Sequence, residues 1–349
     1  MTLRWSVLGP MSALAGLLLV SAACGPGPER SFRVSPGALR SPVAGYDPAW
    51  SLDGTHVAYV EATYVRRGDY GLLLDNDHRT PTPRDTIRLW DLQTGKSRRL
   101  RPAAARGTFI TSLAWIDGST IAFLASDMHK RTPQMPSETG SDWDMVSIYR
   151  ILLKDLILMN TKTGDSWVLA TGGRWPQMER ASMSDGSIAV WECVQPGADK
   201  RSFAVTFLAR DGTEMRQWRF PPGRWQGLAV GTVRTELPAM VRQQGAQDFR
   251  LSVIDGRETR DIYRARGLIL GVFGSPGGGR VAFLEEVGGL APGAQSSLRV
   301  LPLDGRRPVA VADDAFGESR VAWSPDARRI AYVRSHDGHI VIADVPPIP

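Results

Sequence analysis

Val321-Ala322-Trp323-Ser324-Pro325-Asp326-Ala327-Arg328-Arg329-Ile330-Ala331-Tyr332-Val333 reads as strand, tight turn, strand. Proline restricts the backbone where the chain reverses, and the short aspartate side chain accepts hydrogen bonds from nearby amides. The β-branched and aromatic residues on either side favour extended chain.

Looser copies of this stretch recur upstream. Asp47-Pro48-Ala49-Trp50-Ser51-Leu52-Asp53-Gly54-Thr55-His56-Val57-Ala58-Tyr59-Val60 is the first, and Ser112 to Leu124, with Asp117-Gly118 at its turn, is the second. Ala181 to Trp191 turns at Asp185-Gly186, and Val272 to Leu284 turns at Pro276-Gly277. A weaker copy keeps only two strand-like runs, Gly227-Leu228-Ala229-Val230 and Ala239-Met240-Val241. Each hairpin is followed by a third strand, such as Ile87 to Asp91, Leu156 to Met159 or Leu298 to Leu301. Turns such as Thr94-Gly95, Thr163-Gly164 and Asp304-Gly305 then lead to fourth strands such as Ser97 to Leu100 and Ser166 to Leu169.

Each unit is therefore an antiparallel meander of about 45 residues, in the range of a propeller blade. The second strands, such as Val57 to Val60, are apolar on both faces, as they must be when every sheet lies between two others. The recurrent Ala58, Ala122, Ala189, Ala282 and Ala331 allow close approach of neighbouring sheets, and Trp50, Trp115 and Trp323 fill the space between them. The expected fold is all-β: a six-bladed β-propeller of four-stranded blades over residues 31–349, with seven blades as the alternative. The sixth unit lacks a fourth strand of its own. Ser31-Phe32-Arg33-Val34-Ser35 has the look of one, so this N-terminal strand is expected to close the ring and remove its open edge.

Composition supports many turns and an ample core: Gly 36, Pro 24 and 42% hydrophobic residues. The first residues stand apart. Arg4, an apolar run from Val7 to Val20 and then Val20-Ser21-Ala22-Ala23-Cys24 have the order of an export signal. Small residues before a cysteine resemble the lipobox of bacterial lipoproteins, although Ser21 stands where leucine is common. The resemblance implies a signal peptide over 1–23, lipid on Cys24, a tether over 24–30 and a place on the outer face of the cytoplasmic membrane. Ordinary secretory cleavage near Ala23 is the alternative. With Cys24 lipidated, Cys193 has no disulfide partner; it sits in the strand-like run Ala189 to Val194 and reads as a buried thiol. The net charge of +6 comes almost wholly from scattered arginines. No dense basic run is interleaved with stacking aromatics, so nucleic acid is not expected as a partner.

Asp-Gly and Pro-Asp hairpins followed by Ile-Ala-Tyr or Val-Ala-Phe resemble the TolB-type β-propeller family, also seen in the propeller parts of prolyl-oligopeptidase-like enzymes. The likeness covers nearly all of the chain after the signal. TolB itself carries a further domain before its propeller; nothing of that size precedes Tyr46, so a Tol-system role is not implied.

Two units carry long insertions between their second and third strands. Thr63 to Asp85 holds Arg66, Arg67, Asp69, Tyr70, Asp75, Asp77 and His78; Asp127 to Arg150 holds His129, Asp142, Trp143 and Asp144. Propeller geometry places both loops on one face, side by side, and long loops on a rigid scaffold are where binding concentrates. They are the candidate partner-binding residues, for a protein or a wall polymer; variable insertions without a ligand are the alternative. Asp75-Asn76-Asp77 lacks the glycine and distal glutamate of a calcium loop. His336-Asp337-Gly338-His339 reads as a hairpin tip. No metal and no cofactor is expected. The sequence has no Gly-x-Ser-x-Gly elbow, no His-Glu-x-x-His and no phosphate loop. A non-catalytic scaffold or sensor, monomeric, is therefore the expectation. A small propeller lyase or hydrolase acting on an extracellular sugar or peptide is the alternative.

Overall fold

Serine and aspartate side chains shape the hairpin turns of the repeat, and the turns set the sheets. In the computed structural model, Asp53 accepts from the Ser51 hydroxyl at 2.6 Å and from the Thr55 amide at 3.0 Å, while Ser51 Oγ accepts from the His56 amide at 2.9 Å. Gly54 completes the reversal at φ 73°. The last copy repeats this with Ser324, Asp326 and Arg329, and Ala327 takes the left-handed position at φ 56°. The Ser51 hydroxyl first, and then the Thr55 amide, pull the Asp53 carboxyl down to about 2. Its contribution to stability is therefore complete above the unfolded value near pH 4 and is lost as pH falls through about 2. Asp53→Asn should cost about 1 kcal/mol at neutral pH, the exposed site being partly screened. Urea unfolding over a pH series should show that cost shrinking toward pH 2; a cost independent of pH contradicts the assignment.

The structure describes residues 39–62, 86–106, 108–126, 154–173, 177–180, 187–195, 202–219, 239–245, 248–255, 258–286, 295–317 and 320–347. The first repeat unit is β1 (Leu39–Trp50), β2 (His56–Glu61), β3 (Ile87–Asp91) and β4 (Ser97–Leu100). The second is β5 (Phe109–Trp115), β6 (Thr120–Ser126), β7 (Lys154–Asn160) and β8 (Ser166–Gly173). The third is β9 (Gln177–Arg180), β10 (Ile188–Gln195), β11 (Ser202–Leu208) and β12 (Glu214–Arg219). The fourth shows three strands, β13 (Ala239–Gly245), β14 (Asp248–Asp255) and β15 (Glu258–Arg264); its expected first strand, Gly227 to Val230, lies outside the described residues. The fifth is β16 (Ile269–Gly274), β17 (Arg280–Glu286), β18 (Gln295–Pro302) and β19 (Val309–Phe316), and the last is β20 (Ala322–Trp323), β21 (Arg329–Val333) and β22 (His339–Asp344). All pairings between these strands are antiparallel neighbours in chain order, except one.

The exception corrects the expected closing strand. The outer edge of β22 is paired with the first half of β1, Leu39 opposite Ile342 and Ala44 opposite His339. It is not left for Ser31 to Ser35, which lie outside the described residues. The second half of β1 pairs with β2, from Gly45 opposite Glu61 to Trp50 opposite Val57. One strand thus serves the last and the first units, and the two merge into a seven-stranded sheet, β20-β21-β22-β1-β2-β3-β4. Gly45 is the crossing point. A Cβ there would lie 2.2 Å from the Tyr59 ring and 2.5 Å from the Val60 carbonyl, so no side chain fits.

The core lies between sheets, not beneath one of them. Phe123 and Leu124 are adjacent and both fully buried. Phe123 packs toward the first unit with Val57 and Trp90. Leu124 packs toward the third with Val190 and Leu208. Phe283 and Leu284 divide in the same way, toward the fourth and the last units. This explains why the second strands do not alternate. Each such side chain contributes about 1.5–3 kcal/mol by burial. The five recurrent alanines are all fully buried, as close approach of sheets requires. Cys193 falls in β10, in the strand expected for it.

Candidate functional site

The two long loops spring from roots that the structure does describe. β1 and β5 run side by side in the same direction: Tyr46 Oη donates to the Ile110 carbonyl at 3.2 Å, the Ser112 amide donates to Asp47 Oδ2 at 3.0 Å, and Trp115 Nε1 donates to the Ala49 carbonyl at 3.2 Å. Glu61 stands opposite Gly45 near the start of this part of β1, and Ser126 stands opposite Phe109 at the start of β5. The loops after Glu61 and Ser126 therefore leave adjacent units on the same side.

Arg66, Arg67, Asp69, Tyr70, Asp75, Asp77, His78, His129, Asp142, Trp143 and Asp144 lie outside the described residues, as does Cys24. What is seen is how the first loop is held. The Glu61 amide donates to the Thr86 carbonyl at 2.9 Å, joining its two ends. The Glu61 carboxylate takes both guanidinium groups of Arg88 and Arg99: Arg88 Nε at 2.9 Å and Nη2 at 3.1 Å, Arg99 Nε at 3.0 Å and Nη2 at 2.8 Å. Burial alone would push this carboxyl up; the two arginines outweigh it and hold it below the usual range. Arg88 is nearly buried and Arg99 half exposed. At the root of the second loop, Lys154 is buried.

The same device recurs in the fifth unit. Glu285 is 2% exposed. It accepts from Tyr263 Oη at 3.0 Å and from the Arg266 amide at 2.6 Å, and it forms an ion pair with Arg299, whose Nε lies 3.2 Å away. The sequence carried a sign of this: Val57-Ala58-Tyr59-Val60-Glu61 matches Val281-Ala282-Phe283-Leu284-Glu285, and Ile87-Arg88-Leu89 matches Leu298-Arg299-Val300. The partners are distant in sequence, so only the pairing of strands brings them together.

The central channel is the other place where chemistry could sit. Asp47, in a left-handed conformation at φ 51°, points its carboxylate at two neighbours: Oδ2 takes the Ser112 amide and Oδ1 the Arg320 amide at 3.3 Å. It links the first unit to the second and to the last. Indoles form further links. Trp323 Nε1 donates to the Phe273 carbonyl at 3.0 Å, as Trp115 does to Ala49. The guanidinium of Arg280 lies 5.5 Å over Trp323, and that of Arg329 lies 5.0 Å over Trp50, the same relation one unit further on. A cavity of about 60 Å³ remains, walled chiefly by Trp50, Leu113, Trp115, Phe273, Val321 and Trp323. Its wall side chains are largely aromatic and aliphatic, and Arg320 is the one charged residue among them.

His336 and His339 do not converge. His339 Nδ1 lies 2.8 Å from the Ser41 carbonyl, which requires that nitrogen to donate, and His336 Nδ1 lies 3.8 Å from Asp337. Among the described residues, no group of three or more His, Cys, Asp and Glu side chains could hold a metal ion.

No protein-family model and no curated protein sequence matches the chain. Solved structures do. A putative TolB from Agrobacterium tumefaciens is similar over 88% of this chain and 92% of that one, at 12% identity and a TM-score of 0.52. A calcium-binding protein, regucalcin, from the same organism is similar over 88% and 93%, at 11% identity and a TM-score of 0.50. The fold is a β-propeller. An oligogalacturonate lyase in complex with manganese also aligns, over 88% of this chain and 91% of that one, at 15% identity and a TM-score of 0.49. A propeller presents loops from a rigid ring, so this fold accounts for side-by-side loop roots without specifying a chemistry.

Proposed function

We propose that the chain is a TolB-like propeller lipoprotein, exported and held by lipid on Cys24 to the outer face of a bacterial cytoplasmic membrane. Its six units close into one ring, and the ring acts as a non-catalytic binding scaffold or sensor. The binding face is the one from which residues 63–85 and 127–150 leave the first and second units. The partner is a protein or a wall polymer.

One observation carries the non-catalytic reading: the four acids buried among the described residues are already engaged in holding the fold. Asp47 bonds two backbone amides, Glu61 two arginines, Glu285 a tyrosine, an arginine and an amide, and Asp314 the Tyr332 hydroxyl at 3.0 Å. A general acid or base must reach a substrate proton, and carboxylates so saturated cannot without breaking the scaffold. Ring closure is supported by the shared strand β1 and by Arg329 over Trp50.

Affinity capture from membrane extracts tests the face. The protein should recover a partner that a variant lacking residues 66–84 and 128–146 does not, with both melting alike. Equal recovery by both contradicts the loop reading. In the same cells, Cys24→Ala should move the protein from the membrane to the soluble fraction; a variant that stays with membranes contradicts the anchor.

A further inference from the structure

Positive charge is concentrated on the outer rim of the first unit. Residues 92–116 hold five cations and no acid, against a net charge of +6 for all 349 residues, so the rest of the chain is nearly balanced. Lys96, Arg98, Arg99, Arg101 and Arg106 lie within β4 or beside it, and all five are exposed. Other outer strands include acids: Glu214 in β12, Glu258 and Asp261 in β15, Asp313 and Asp314 in β19. The acids of the strands beside β4 are already engaged. Glu61 serves both Arg88 and Arg99, which leaves that cluster one positive charge in excess, and Asp91 accepts from the Gln93 and Thr94 amides. The rim is also fixed against the second unit. Arg98 Nη2 donates to the Thr161 carbonyl, and the Ala104 amide donates to Ser166 Oγ at 3.0 Å. The turn across that seam holds Lys162 and Asp165, which add no net charge.

We propose that this rim rests on the anionic headgroups of the membrane that holds the chain's lipid, as a second, electrostatic anchor. This deepens the membrane-anchored reading above and rests on it. Charge complementarity is the first argument: exposed cations without local acids attract an anionic surface within about a Debye length. Position is the second. Leu39 stands opposite Ile342, toward the end of the last unit's sheet that carries the Ser324–Arg329 turn. Ser97 stands opposite Trp90, at the corresponding end of the first unit's sheet. These two ends meet: a Cβ on Gly54 would lie 3.7 Å from Pro325. The 15 residues from Cys24 to Leu39 span at most about 50 Å, so an anchor at Cys24 keeps the rim within reach of the bilayer. The loops after Glu61 and Ser126 leave from the opposite ends of their sheets, so a bilayer met by the rim leaves the loop face open to a partner. A lipid and a basic patch together hold a protein more firmly than either alone.

Co-sedimentation with vesicles tests it, using the mature chain with Cys24→Ala so that no lipid of its own contributes. The protein should bind vesicles containing phosphatidylglycerol at low salt, leave them at high salt and ignore pure phosphatidylcholine. Lys96→Gln, Arg101→Gln and Arg106→Gln together should weaken binding about tenfold or more. These side chains are exposed, so the melting temperature should hold. The same change at Arg219, Arg307 and Arg328, exposed cations of other units, should weaken binding less than about threefold. No binding to phosphatidylglycerol vesicles overturns the proposal. So does equal binding by the first triple variant, or equal weakening by the second, which would make net charge the cause. Tighter binding to soluble poly(glycerol phosphate) than to vesicles of equal phosphate content also overturns it, and assigns the rim to a wall polymer. None of these results depends on whether Cys24 carries lipid in the cell, which the fractionation of Cys24→Ala reads separately.

Discussion

Replacing Glu61 by Gln should destabilise the protein by about 3 kcal/mol, because the nearly buried Arg88 guanidinium then faces a neutral amide, with one acceptor oxygen and an NH2 group, in place of the carboxylate whose two oxygens it now uses. The substitution conserves shape, so the loss measures charge and hydrogen bonding rather than packing. Breaking one partner of a buried pair costs far more than breaking an exposed one. Arg99→Ala removes the outer, half-exposed arm of the same cluster and should cost under about 1 kcal/mol. Equilibrium unfolding in urea of the two variants and the wild type reads both numbers. Similar small losses for the two would show that Glu61 is wetter than its 8% exposure implies. Because Glu61 joins the root of the loop 63–85 to β3 and β4, its loss should also weaken capture of any partner held by that loop.

How much of this was legible in the residues follows from how locally each feature is encoded. A hairpin turn needs a few adjacent residues, so Ser324, Pro325 and Asp326 announced one, and the copies announced the repeat. The doubly buried second strands were legible too, since Val57 to Val60 show no alternation. The closing strand was misplaced for a physical reason. Ser31 to Ser35 alternates like a strand, whereas Leu39-Arg40-Ser41-Pro42-Val43-Ala44 contains a proline, which breaks a ladder. In the structure Pro42 falls inside the irregularity between Arg40 and Ala44, where pairing with β22 is interrupted, so its missing N–H is not needed there. Side chains take over that role: the Ile340 amide donates to Ser41 Oγ at 3.0 Å. Glu61, Arg88 and Arg99 escaped notice because 27 and 38 residues separate the partners, and only strand register brings them together. Asp47 escaped because its role depends on two neighbouring units at once. The loop residues proposed for binding were legible only as departures from the repeat.

The proposed closure of six units into one ring rests on the first half of β1, and its removal should have the largest effect on stability. That segment gives the last unit its fourth strand. It contributes the Ser41 bonds to Ile340 and His339, an ion pair between Arg40 and Asp337 at 3.2 Å and the cover over Ile340 and Ile342. Three or four such interactions at about 1 kcal/mol each lower the melting temperature by roughly 5–10 °C in a domain of this size. Residues before Leu39 should matter far less if they are signal and tether. The decisive measurement is calorimetric melting of two truncations, one lacking residues 1–38 and one lacking residues 1–44. A ring closed by β1 predicts that the first melts within a degree or two of the mature protein and the second melts roughly 5–10 °C lower. Equal melting of the two would contradict closure by this strand, and with it the six-unit ring.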